Sequence, residues 1–153
     1  MIDWKGFCHR MRAFGPGTQI LNSPCSQARI DEDELRLGQM PDELSGMLRA
    51  FNGAELFINA IPMITVFGLS TREDTADSDW FIDRYTPKWR AASDRSFDWV
   101  IGMTNYGSLI ILDQHLQVQE WDTLHNKWGT ETQSFSNWLE RIVSEGVTYL
   151  KET

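Results

Sequence analysis

The sequence predicts an α+β fold: a single domain with a mainly antiparallel sheet, flanked by N-terminal helices and closed by a C-terminal helix. Three observations carry this prediction. Apolar residues recur at helical spacing near both ends of the chain, at Trp4, Phe7, Cys8, Met11 and Phe14, and again at Phe135, Trp138, Leu139, Ile142, Val143, Val147 and Leu150. Between the ends lie short apolar runs joined by tight polar turns, and consecutive strands on short turns must pair antiparallel. With 153 residues, of which 41% are hydrophobic and 7 are Trp, the chain has the size and the apolar content of one domain with a real core.

Each element follows from local residue chemistry. A short amphipathic helix over 3–14 is stopped by Gly15-Pro16-Gly17, and a polar loop continues through Asn22-Ser23-Pro24. Four carboxylates, Asp31, Glu32, Asp33 and Glu34, are expected in the first turn of the next helix, where the positive end of the dipole favours negative charge. Gly38 is suited to a left-handed cap ending that helix, and Pro41 to the first position of the following one, where its missing N–H costs nothing. Leu44, Met47, Leu48 and Phe51 then form one apolar stripe, closed by Asn52-Gly53. Strands are expected over 55–59 and 63–69, with Pro62 between them, and a short helix over 80–85 broken near Pro87. A hairpin through Asn105-Tyr106-Gly107 joins strands over 97–103 and 108–113. Leu109 to Leu112 is apolar on both faces and reads as a central strand. A third strand over 116–122 follows the turn at Gln114-His115, and Ser134 is placed to cap the final helix.

Composition narrows the function. The formal charge is −8. A negative field repels phosphate backbones and anionic headgroups, so nucleic acid and membrane are not expected partners and a basic protein is. The first 29 residues are basic, with Lys5, Arg10, Arg12 and Arg29 against Asp3, so the acidity lies beyond them. Their start lacks the apolar run of a secretory signal, and no stretch approaches the ~20 apolar residues of a membrane span, so the expected compartment is the cytoplasm. Cys8 and Cys25 are read as free thiols. Neither they nor His9, His115 and His125 fall at metal-ligand spacings, and no metal and no cofactor is expected. No catalytic residue is assigned: Ser108 lacks a nucleophile elbow, and the adjacency of Cys8 and His9 in sequence is not how a Cys–His pair is built. The expectation is a protein that is not an enzyme.

The order of pieces across Glu34, Leu37-Gly38, Met40-Pro41, Asn52-Gly53, Gly107 to Asp113, and Ser134-Phe135 with Trp138-Leu139 resembles the signature of the SUKH superfamily. This is the Smi–Knr group of bacterial toxin-immunity proteins and fungal cell-wall regulators. The resemblance spans about residues 28–150, dividing the chain into an N-terminal helix and Gly/Pro loop (1–27) packed on a SUKH-like domain (28–153). Met40 stands where the family more often has Leu, a swap of similar volume. The motif residues Gly38, Pro41, Asn52, Gly53, Gly107 and Asp113 are fold-formers, and the family's toxin-contacting surfaces vary, so no binding residue transfers. What the resemblance implies is a cytosolic immunity protein that binds and neutralises a polymorphic toxin, many of which are nucleases. The alternative is a non-catalytic interaction or scaffold module with no toxin partner, as in the fungal relatives. The absence of long disordered extensions favours immunity.

Charge complementarity nominates a surface for the basic partner: Glu73, Asp74, Asp77 and Asp79, followed by Trp80 and, further on, Trp89. Large aromatics beside charge are frequent at interface hot spots. The competing reading buries the aromatics and leaves the acids on a solvated loop.

Overall fold

The computed structural model describes residues 2–14, 17–58, 63–71 and 78–152, without the side chain of residue 152. Asp3 starts α1 (Trp4–Arg12): its carboxylate accepts the Gly6 N–H at 3.0 Å, satisfying one of the helix's orphan donors. This helix buries Trp4, Phe7, Cys8 and Met11. The Trp4 indole meets Phe7, Phe51 and Phe135 edge-on, with centroids 5.7 to 5.8 Å apart, so three helices converge on one ring. A short strand follows, β1 (Gln19–Leu21), in the stretch that the sequence assigns to loop.

Ser26 caps α2 (Gln27–Leu37), accepting the Arg29 N–H at 3.2 Å. The helix therefore opens four residues before the acidic run, and Asp31 to Glu34 lie in its middle rather than its first turn. The dipole argument fails for them. Asp33 is instead buried between Arg29 and Arg36, and Glu34 accepts the Met40 N–H at 2.8 Å, tying the helix to the next connection. Gly38 has φ 93° and ψ 171°: the positive φ is a glycine conformation, but not the left-handed cap that the sequence predicts. Pro41 sits one place before α3 (Asp42–Ala50), and its carbonyl accepts the N–H of Leu44 and Ser45 at 3.0 and 3.1 Å.

Two three-residue strands follow, β2 (Ala54–Leu56) and β3 (Ile64–Val66), both shorter than expected. Pro62 lies outside the described residues. Then α4 (Ile82–Ser93) runs straight past Pro87, which faces solvent. The expected break does not occur because burial of Thr86 just before that point and Trp89 beyond it outweighs the one lost N–H bond. The strands β4 (Trp99–Thr104), β5 (Ser108–Leu112) and β6 (Gln117–Asp122) form the expected meander. Gly107 supplies φ 91° in the first turn, and one Asp113 oxygen holds the N–H of His115 and Gln117 at 2.8 and 3.0 Å in the second. Short pieces β7 (Lys127–Trp128) and β8 (Gln133–Ser134) both pair with β6 and cover its outer side. The closing helix α5 (Phe135–Glu152) starts with Ser134 accepting the Asn137 N–H at 3.2 Å.

All pairings are antiparallel, in the order β1-β2-β3-β4-β5-β6-β7. β5 is buried at every position, as a central strand covered on both faces must be. The architecture is α+β: β1 lies between α1 and α2, α4 is inserted between β3 and β4, and α5 closes the chain. Helix α1 and strand β1 share the core and the sheet with everything that follows residue 27. Among the described residues, no helix is long and apolar enough to cross a membrane.

Candidate functional site

The chain leaves β3 along a path fixed by Asn52 and Gly53. The Asn52 amide donates to the Leu69 carbonyl at 2.9 Å and accepts the Leu69 N–H at 2.7 Å, imitating one rung of a sheet. Gly53 (φ 85°) lies so close that a Cβ there would stand 2.7 Å from the Gly68 nitrogen. Both motif residues thus brace the exit of β3, while Gly107 and Asp113 shape turns at opposite ends of β5 and Gly38 and Pro41 shape the link between α2 and α3. The six do not converge on one site.

From that exit the chain docks on the first turn of α4. Gly68 accepts the Ile82 N–H at 2.9 Å. Ser70 is then held completely. Its N–H and hydroxyl donate to the two oxygens of Asp83 at 2.9 and 2.5 Å, and its carbonyl accepts from Arg29 Nε at 3.0 Å. Arg29 also reaches Asp83 at 3.2 Å and forms an ion pair with Asp33 at 2.5 Å, and Arg36 closes the set on Asp33 at 2.7 Å. Two buried carboxylates, Asp33 (1% exposed) and Asp83 (6%), are therefore matched by two guanidinium groups. A buried charge without such partners would be strongly unfavourable.

Of the nominated contact residues, Glu73, Asp74 and Asp77 lie outside the described residues. Asp79 is half-exposed and paired with Lys88 at 2.6 Å. Trp80 is 58% exposed, the form a contact residue needs. Trp89 is not: it is 8% exposed, donates to Asp98 at 2.9 Å, and packs edge-on with Trp121 and Trp128 at 5.7 Å. The sequence places it beside the acids, but the helix that continues past Pro87 turns it into the core. It cannot form part of a contact surface in this fold.

Elsewhere the surface offers shallow, polar grooves. One, about 510 Å³, runs beside the Ser70 junction and includes Cys25, Ser26, Arg29 and Glu32. A second, about 400 Å³, includes Asp94, Phe97, Asp113 and His115. Cys8 and Cys25 are free and buried, and burial pushes both thiols up from their ordinary range, away from nucleophilic thiolate chemistry. Burial, with the Glu120 carboxylate accepting from its hydroxyl at 2.7 Å, pushes Tyr106 up to about 12. His125 pairs with Asp122 at 2.8 Å in the exposed turn after β6, holding that carboxyl below its usual range. Among the described residues, no cluster of His, Cys, Asp and Glu is arranged to hold a metal ion.

Sequence reasoning missed the Arg29–Asp33–Asp83 junction and the role of Arg84, which donates to the Ser78 carbonyl at 2.8 Å and lies over the Phe81 ring. The spacing of Arg29 and Asp33 at i, i+4 was the one available signal; Ser70 and Asp83 are far away in sequence. Neither a protein-family model nor a curated protein matches the chain.

Proposed function

We propose that the protein acts by binding: it covers the basic surface of a protein partner, a cognate toxin in the SUKH manner, and performs no chemistry of its own. The observation that carries this reading is the exposed Trp80 at the end of a segment bearing Glu73, Asp74, Asp77 and Asp79, in a chain of net charge −8. An aromatic anchor next to carboxylates fits a basic cleft: the ring provides buried area, and the charges speed encounter and reject wrong partners. A nuclease active site is basic because it holds phosphate, so nucleases are the partner class best suited to this surface. The α+β fold and the order of the motif pieces support the SUKH reading.

The test is a pull-down from lysate of the source organism at low and at high salt. A basic partner should be recovered at low salt and lost as salt screens the contact. Replacing Asp74, Asp77 and Asp79 by Asn should abolish recovery, and Trp80→Ala should raise the dissociation rate by at least tenfold. Recovery of a cell-envelope or regulatory complex instead, unchanged by these substitutions, would replace the immunity reading with the scaffold one.

A further inference from the structure

β4 begins where β5 ends: Trp99 pairs with Leu112, so the turn that enters β4 and the turn that leaves β5 lie side by side. Between them runs the groove of about 400 Å³, lined by Asp94, Arg95, Phe97 and Asp98 from the first turn and by Asp113 and His115 from the second. Two of these groups already have partners. Asp98 is buried, accepts the Trp89 indole N–H at 2.9 Å and pairs with Arg95 at 2.5 Å, and Arg95 in turn lies over the Trp128 ring. Phe97, Asp94 and Asp113 are different. The Phe97 side chain is 65% exposed and stands outside the apolar core. Asp94 is exposed and ends α4 with φ 62°. Asp113 holds its turn through Oδ1 alone, which leaves Oδ2 without a hydrogen bond among the described residues. Neither Asp94 nor Asp113 belongs to an ion pair among the described residues. The groove thus sets three carboxylates against one guanidinium and shares its two unmatched charges with an exposed ring.

We infer that this groove is a docking site for an arginine side chain carried by a loop of a basic protein partner. A guanidinium lies flat on an aromatic face while its N–H groups reach carboxylates, which a compact ammonium does less well. Phe97 receives the stem and the plane, and Asp94 and Asp113 receive the N–H groups. The size also fits, since sites for small ligands run from roughly 300 to 1,000 Å³. The partner half of this inference rests on the binding function proposed above; the affinity of the groove for a guanidinium does not.

The first measurement needs no partner. N-acetyl-arginine amide is titrated into the full chain and followed by site-resolved amide shifts. Saturable shifts should appear at Phe97, Gln114 and His115, with a dissociation constant of about 5 mM for so small a probe. The lysine analogue should bind about threefold more weakly, and the uncharged citrulline analogue should give no saturable shift. Phe97→Ser and Asp94→Asn should each weaken the arginine probe about threefold while the rest of the spectrum stays unchanged. Asn tolerates the left-handed backbone of Asp94, so that substitution removes charge alone. Shifts spread evenly over the acidic surface, equal binding of the lysine or citrulline analogue, or indifference to Phe97→Ser would overturn the docking site. The same shifts on concentrating the chain alone would assign the groove to a second copy and overturn it too. In the low-salt pull-down, Phe97→Ser should recover about threefold less of the basic partner; unchanged recovery would overturn the groove's part in that contact. If the unaltered chain recovers no basic partner, the proposed function fails while the probe titration still decides the groove.

Discussion

Gly146 sits in the middle of α5, where Ala would ordinarily be the better residue by about 1 kcal/mol. Here a Cβ would stand 2.1 Å from the Phe57 ring, and that ring is itself held in a backbone conformation with φ 56°. Phe57 is buried and packs edge-on against Phe14 at 5.5 Å, so it has little room to retreat. Overpacking therefore defeats propensity, and Gly146→Ala should destabilise by about 2 kcal/mol in urea unfolding. A stabilised variant would mean that Phe57 can move. Such pairings mark the limit of what residues disclose alone. The pattern of α5 was legible because its apolar positions repeat and Ser134 stands before them, but nothing near Gly146 names Phe57 as the reason it must stay small. Trp89 is the same problem in reverse. An aromatic near carboxylates reads equally as anchor or core, and only the continuation of α4 past Pro87 decides for the core.

Elements are joined here by charge as well as by apolar packing, and the two kinds of charge differ in worth. Arg29 links α2, the exit of β3 and α4 through buried carboxylates. Arg29→Met would leave Asp83 buried without its cation, and Asp33 with Arg36 alone, so the cost should be about 3 kcal/mol in urea unfolding, read as a shift of midpoint at unchanged slope. A cost below about 0.5 kcal/mol would show that solvent reaches the junction. The Arg10–Glu140 pair joins α1 to α5 at 2.8 and 3.0 Å in the open. The hydrogen bond from Arg10 holds the Glu140 carboxyl below its usual range. A depressed folded-state pKa contributes stability above the ordinary carboxylate range and loses it as pH falls through the lowered value. Glu140→Gln should thus cost about 0.5 kcal/mol at pH 7 and progressively less as pH falls through the carboxylate range; a cost independent of pH would assign the effect to packing. At this scale α1, α3, α5 and the β4–β5–β6 meander were legible because periodicity and turn residues agree, whereas α4 was cut short at Pro87 and the start of α2 was placed too late. β1, β7 and β8 were not, since two or three residues carry no period and owe their pairing to partners elsewhere.

At the scale of the whole molecule, one core runs from Trp4 to Val143 without a seam. The resemblance that begins near residue 28 leaves out α1 and β1, yet Trp4 fills the junction of Phe51 and Phe135, and β1 completes the edge of the sheet against β2. A chain beginning at residue 28 would lose four buried side chains from α1 and a fifth, Cys25, from the loop that follows β1. It would also expose Phe51 and Phe135. At about 2 kcal/mol for each large apolar side chain returned to water, the loss is comparable to the whole stability of a domain this size. The shortened chain should therefore lack a cooperative thermal transition and should bind a dye specific for exposed apolar surface, while the full chain melts in one step. If it instead melted cooperatively, α1 and β1 would be an addition to a self-sufficient domain. The basic residues of α1 that are not engaged with Glu140, Lys5 and Arg12, would then be candidates for a contact of their own.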